Sequence, residues 1–213
     1  YFGVSEQLPA TSYVKMKFKT EIVGSGVAGT PPPIGKLLIG CGMVETIFAG
    51  NRVEYTPGAP QISAGLSFRF NNDGVRYGTK GGRGKVKLDL TAYKRPIADF
   101  EFWSFDKKET AIAMPTVDYT AFKLPEVVTD AKSADVRLGS TLAAGVLSGG
   151  TAYKSKGITI DIANQLEHYT NLGGEDIGIR GRQTTGDIIV ALSEAQEVQW
   201  YSDIRAVTTT SMS

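Results

Sequence analysis

Glycines at phosphate-binding spacing are the first residues with possible chemistry. Gly24-Ser25-Gly26-Val27-Ala28-Gly29 fits G-x-G-x-x-G after a predicted strand, and Glu45 stands at about the distance of a ribose-binding acid. That fingerprint holds a dinucleotide only when its last glycine opens a helix whose N-terminus faces the pyrophosphate. Thr30-Pro31-Pro32-Pro33 follows instead, with no βαβ pattern around it, so 24–33 reads as a long loop. Gly78 to Lys85 (GTKGGRGK) looks like a second phosphate cradle, but Thr79 and Val86 occupy positions where a Walker loop needs glycine and Ser/Thr. It reads as an open hairpin loop or a β-bulge.

Cys41 and His168, each the only one of its kind, are the formal nucleophile and base. Cys41 sits in an apolar segment and suits a small buried hydrophobe. His168 with Glu167 and Glu175 lacks metal-ligand spacing. No catalytic, cofactor-binding or metal-binding residue is assigned, and the chain reads as structural rather than enzymatic.

The elements that would position such groups are strands. Val14, Met16 and Phe18 alternate with Lys15, Lys17 and Lys19, a period-2 pattern over Tyr13 to Val23. The same alternation marks Leu66/Phe68/Phe70, Val86/Leu88/Leu90 and Ile158/Ile160/Ile162. Asn51–Tyr55, Ala98–Phe105 and Ile188–Leu192 add further strands, and Asn72-Asp73-Gly74 is a turn signal. Phe100, Phe102, Trp103 and Phe105 read as core more readily than as an exposed platform. Residues 34–43 form a short helix with Leu37, Leu38 and Cys41 on one side. Residues 193–204 form a second helix, opened by the capping-box spacing Ser193-Glu194-Ala195-Gln196. MPTVDYTAFKLPE (114–126) reads as a long crossing connection and LSGGTAYKSKG (147–157) as a flexible turn. The expected fold is mostly β: a β-sandwich or partly closed barrel of two antiparallel sheets with one or two short helices. It forms one domain over 1–213, with 1–12 an extended N-terminal arm.

Composition narrows the function classes. Lys and Arg number 23 against 22 Asp and Glu, without the basic excess of a dedicated nucleic-acid binder. A single cysteine excludes an intramolecular disulfide framework. No apolar run approaches the roughly 18 residues of a membrane span, so no membrane partner is expected. The chain opens on Tyr1, which suggests a processed or trimmed N-terminus.

Three stretches together resemble the tail tube (major tail) proteins of long-tailed, siphovirus-like bacteriophages. They are LLIGCGMVETIFAGNRVEYTP (37–57), DGVRYGTKGGRGKVKLDLTAYKRPIADFEFWS (73–104) and ITIDIANQLEHYTNLGGEDIGIRGRQTTGDIIV (158–190). In order, they are a short apolar helix leading into a strand ending Tyr-Thr-Pro, a glycine-arginine hairpin followed by long strands, and a strand running into Asn-Gln-x-Glu and Arg-x-x-x-Gly. The opening FGVSEQLPA suits such a protein. Family members usually continue with further strands, whereas this chain stops after a Thr/Ser-rich tail, as a short variant or one lacking its C-terminus.

The resemblance implies a virion protein of the phage tail, assembled in the host cytoplasm. Six copies close into a ring, and rings stack into a hollow tube that conducts DNA from capsid to host. Partners would be further copies of the chain, the tail terminator, the tape measure and the distal tail proteins, with DNA passing without sequence recognition. It leans toward the flexible, sheathless tail type, and gene-transfer particles and bacteriocins carry similar tubes. The alternative is a β-sandwich carbohydrate-binding or adhesion module, with Phe100–Phe105 as its aromatic patch.

The tube reading carries physical expectations. Open strand edges, normally an aggregation hazard, would pair with neighbouring copies until the ring closes. Phe68, Leu88 and Ile160 would pack inward, while Ser67, Arg69, Asp89 or Thr159 line a wet lumen. Because each cation neutralising a phosphate adds affinity, a lumen that lets DNA slide should be neutral or acidic. The Lys15/Lys17/Lys19 stripe should then lie away from it, or pair with carboxylates of a neighbouring copy. The arm 1–12 and loop 24–33 are expected to touch the stacked ring.

Overall fold

A computed structural model describes residues 11–59, 65–120, 122–131, 136–143 and 146–206. The predicted mostly-β class is found, as a curled antiparallel sheet with two smaller sheets and two helices. The main sheet has seven strands. Its path is β1 (Val14–Glu21), β6 (Ile97–Ala111), β5 (Val75–Thr91), β8 (Val146–Asp161) and β11 (Thr185–Ala191). Off this path, β4 (Arg69–Asn72) pairs with β5 and β7 (Val136–Ala143) with β8. β2 (Met43–Phe48) with β3 (Arg52–Pro57), and β9 (Asn164–Asn171) with β10 (Gly174–Arg182), form separate hairpins. The helices are α1 (Gly35–Gly40) and α2 (Glu194–Arg205).

Alternation builds the core as expected. Met16 and Phe18 of β1, Ala98, Phe100 and Phe102 of β6, Val86 and Leu88 of β5, and Ile160 of β8 share one face of the sheet. Ile34, Leu38, Cys41 and Met43, from α1 and its flanks, cover that face together with Tyr55, Leu66 and Phe68. Phe18, Phe68, Phe100 and Phe102 stack with ring centroids 4.8 to 6.2 Å apart. Residues Gly35 and Gly40 are poor helix formers, yet α1 needs them. A Cβ on Gly40 would meet Leu66 at 2.4 Å, and only glycine lets the helix lie this close to the sheet.

Several sequence expectations need correction. The GTKGGRGK stretch is no hairpin loop: it lies inside the 17-residue strand β5, with a β-bulge where the register shifts between Lys80 and Arg83. Phe102 lies over the bare backbone there, and a Cβ on Gly84 would sit 2.5 Å from its ring. The LSGGTAYKSKG stretch is also strand, because β8 accepts Gly149 and Gly150 at positive φ and pairs straight through with β7. The strand expected at Asn51–Tyr55 is the second arm of the β2–β3 hairpin, whose first arm exposes Ile47 and Phe48 and so shows no buried stripe. Leu66, Phe68 and Phe70 do not share one buried face. Leu66 bridges to Gly82, while Phe70 belongs to β4, is exposed and stacks on Tyr77. The Asn72-Asp73-Gly74 turn forms, with Asp73 and Gly74 both at positive φ. Residues 112–120 and 122–130 run without helix or strand, as a crossing connection should.

One buried polar cluster joins these parts. Asn164, 4% exposed, donates through Nδ2 to the carbonyls of Cys41 and Gly84 at 2.6 and 2.8 Å. Its Oδ1 accepts from Arg182 Nε at 2.8 Å, and the Arg182 guanidinium also donates to the carbonyls of Gly42 and Gly58. Truncating Asn164 leaves buried carbonyls and a guanidinium nitrogen without partners, each costing about 1–3 kcal/mol. Asn164→Ala should therefore lose about 3 kcal/mol or more in urea unfolding. Gly84→Ala, which drives a methyl into the Phe102 ring, should lose about 1–3 kcal/mol.

Candidate functional site

The face of the main sheet opposite the core is a lattice of charges, built by strict alternation along each strand. Reading across β1, β6 and β5, Lys15, Trp103 and Arg83 form one rung, and Lys17, Glu101 and Lys85 the next. Lys19, Asp99, Lys87, Asp161 and Thr185 form a third rung that crosses all five strands of the path. Glu21, Ile97, Asp89, Thr159 and Asp187 form a fourth. Over these rungs Lys15, Lys17, Lys19, Arg83, Lys85 and Lys87 face Glu21, Asp89, Asp99, Glu101, Asp161 and Asp187 in equal number. Over these four rungs the face is dense in charge and balanced in sign, and beyond them it continues with the Lys80–Phe105 and Gly78–Lys107 pairs.

Geometry locks the lysine stripe to its own sheet. Lys17 and Lys85 reach Glu101 at 3.0 and 3.4 Å, and Lys19 reaches Asp99 at 3.5 Å. Lys15 Nζ lies 4.1 Å above the Trp103 ring, and Trp103 Nε1 donates to Glu101 at 2.9 Å. The stripe shares the face of Asp89 and Thr159, and its carboxylate partners come from the adjacent strand of the same chain.

Two carboxylates of the face, Glu101 and Asp89, are held ionised. Burial alone would raise the Glu101 pKa, but hydrogen bonds from Trp103 and Lys17 and the charge of Lys85 outweigh it and hold the group below its usual value. The Thr91 hydroxyl, donating to Asp89, is the main cause keeping that carboxyl low, helped by Lys94 and Lys87.

One end of the face is covered by aromatics. The Tyr13 ring lies 5.2 Å from Trp103 and 5.0 Å from His168, and the His168 ring lies 5.6 Å from Phe105. His168 Nε2 contacts Glu175 at 3.0 Å, and the Thr11 hydroxyl donates to the same carboxylate. The β9–β10 hairpin thus clasps the start of β1. Thr11 and Ser12 are the described part of the expected arm 1–12, and its first ten residues lie outside the described residues.

The other sequence candidates are scattered. Cys41 is fully enclosed in the core, and burial pushes its thiol far above the usual range, while His168 is engaged with Tyr13, Phe105 and Glu175. The 24–29 glycines lie in a loop, and α1 begins only at Gly35. Among the described residues no group of three potential metal ligands gathers, and no helix is long and apolar enough to cross a membrane. An open groove of about 950 Å³ lies at the other end of the sheet, between Ile22, Leu90, Tyr93, Leu124, Val136 and Tyr153. Beside it the crossing connection exposes Val117, Tyr119, Phe122 and Leu124.

No protein-family model matches the chain, and no curated protein matches it significantly.

The pH dependence of stability follows from the lowered Glu101 pKa. A carboxyl ionised more readily in the folded state stabilises above its unfolded pKa and loses that contribution as pH falls through the folded value. The thermal midpoint should fall between about pH 5 and pH 3, and Glu101→Gln should be less stable at neutral pH and flatter across that interval. Thermal unfolding at stepped pH checks both.

Proposed function

We propose that the chain is a structural subunit that assembles through copies of itself into rings and stacked hollow tubes, as in the tail tube of a long-tailed phage or a related particle. The observation that carries this reading is the charge-balanced face of the main sheet. An enzyme or receptor concentrates its polar groups at a concave point, whereas here they spread over five strands at an even spacing. A wall with cations and carboxylates in equal number offers a passing polyanion no net attraction, because grip on phosphate grows with each unmatched cation. The opposite face is sealed by α1 and the aromatic core, so this face alone is free to meet an aqueous bore.

Apolar side chains left in water support a subunit role. Val117, Tyr119, Phe122 and Leu124 on the crossing connection, and Val198, Tyr201 and Ile204 on α2, are exposed in the single chain. Sets of this size mark surfaces that other proteins cover. α2 buries none of its residues and is tied on by its capping box, by the Gln196 amide donating to the Ala152 carbonyl, and by Trp200 against Tyr153. Loop 24–33 and the arm remain the proposed contacts between rings, now joined by this connection. Of the Phe100–Phe105 patch offered for a carbohydrate-binding platform, Phe100 and Phe102 are fully buried, while Trp103 and Phe105 are half-buried against Tyr13, Lys15 and His168.

Negative-stain electron microscopy of the purified protein at high concentration, alone and with a tail extract, tests the proposal. Hollow rings or tubes with sixfold end views are expected. Persistent monomers under all conditions would overturn it. Deleting 24–33 should shorten or destabilise the tubes.

A further inference from the structure

The GTKGGRGK stretch fails as a Walker loop, yet its start carries cations that the balanced rungs do not absorb. Three strands meet there. Arg69 of β4 pairs with Gly78 of β5, and across to β6 Gly78 pairs with Lys107, Thr79 with Asp106 and Lys80 with Phe105. Register shifts flank these pairs, between Arg76 and Gly78 and between Lys80 and Arg83. Such bulges bend a strand and re-aim its side chains. A cavity of about 280 Å³ lies between the shifts. Buried Gly78 and Thr79 line it, together with the exposed Arg69, Lys80, Asp106, Lys107 and Lys108.

Two independent observations point to a ligand. The first is an unmet hydroxyl. Thr79 is 3% exposed, and its Oγ1 is enclosed without a hydrogen-bond partner. Ser104, two residues before Asp106 on β6, carries a second buried hydroxyl in the same condition. Buried polar side chains are mostly paired, and an exception asks for a bound group. The second is charge. Four cations line the cavity with one carboxylate, and among the described residues none of the five takes part in an ion pair. Lys17, Lys19 and Lys85 on the balanced rungs, by contrast, each reach a carboxylate. Like charges crowded together repel, and an anion set among them turns that repulsion into attraction.

A tetrahedral oxyanion answers both. Arg69 offers a planar fork of donors, the lysines offer mobile point charges, and the Thr79 hydroxyl offers one short-range donor. The cavity holds a phosphate group with room for a substituent. We propose that this cavity is a binding site for a phosphate-bearing anion, held by Arg69, Lys80, Lys107 and Lys108 at its rim and by the Thr79 hydroxyl at its base. Asp106 is the one opposing charge. The site belongs to the single chain and stands apart from the assembly reading. It also lies beyond the four balanced rungs, so a neutral face and a local grip on phosphate coexist.

Inorganic phosphate is the probe, titrated into the full chain at constant ionic strength with chloride as the control. A ligand that binds only the folded state raises the thermal midpoint. A saturable rise with phosphate, absent with chloride, is expected, along with broadening of the phosphorus resonance on adding protein. Arg69→Ala/Lys107→Ala should weaken binding at least tenfold; both side chains are exposed, and Lys107→Gln alone gives the same reading should the pair fail to fold. Thr79→Val should weaken it several-fold while leaving the midpoint in chloride unchanged or higher, because a methyl removes the unmet hydroxyl. A short single-stranded oligonucleotide that displaces phosphate would identify the natural group as a nucleic-acid phosphodiester, and one that does not would identify a free phosphate. No saturable rise above chloride, or the same phosphate affinity in wild type and the cation variants, would overturn the proposal and leave the tube reading untouched.

Discussion

A buried amide and a half-buried guanidinium, Asn164 and Arg182, satisfy four backbone carbonyls from parts of the chain far apart in sequence. Cys41 and Gly42 end α1, Gly58 follows β3, and Gly84 lies inside β5. The Gly42 carbonyl also accepts from the Gly58 N–H at 3.1 Å, and a buried carbonyl without a partner costs as much as a lost hydrogen bond. The clamp therefore fixes the helical cover against the sheet and turns the chain from β8 into the β9–β10 hairpin. Ala163, between them, takes a positive φ that only this surrounding holds, with its N–H bonded to the Asp161 carboxylate. The covered face exists because the cover is tied down, and the open charged face exists because the other is sealed.

The division of labour between the faces is economical in residue types. From Gly82 to Leu90 on β5 and from Ala98 to Phe102 on β6, even-numbered positions are aromatic, aliphatic or glycine and the odd-numbered ones between them are charged, so each of these stretches serves both a dry layer and a wet one. The glycines of β5 allow the dry layer to be thin: Phe102 lies against backbone instead of another side chain. A wall that must be thin, polar on one side and rigid has few other solutions.

Much of this was legible in the sequence. The alternation over Val14–Glu21 and Ala98–Phe105, the Asn72-Asp73-Gly74 turn and the Ser193/Gln196 capping box each carry their mechanism within a few residues, and each forms. The lysine stripe was visible as well, but not its neutralisation, since Asp99 and Glu101 meet it only through cross-strand register. The β9–β10 hairpin was hidden because Ile177 and Ile179 are its only fully apolar buried positions amid charges. For residues 78–85 the β-bulge alternative holds and the hairpin loop does not, and 147–157 was misread as a turn because glycine usually ends a strand, whereas Gly149 and Gly150 lie within β8. The clamp spans 140 residues from Arg182 to Gly42, beyond any local pattern.

The sheet is cut on a bias. On the rung that holds Lys19, Asp99, Lys87, Asp161 and Thr185, β11 begins at the rung itself, while β1 has begun five residues earlier, at Val14. At about 3.3 Å per residue along a strand and about 4.8 Å between strands, that offset over four spacings inclines the strands by about 40° to a line normal to the sheet's slanted rim. Closed barrels tilt their strands by roughly 35–45°. The slant that a closed wall would require is thus already present in this sheet. A tube made from such pieces would be rifled, its rows of charge winding obliquely around the bore, with a pitch set by the lengths of β1 and β11.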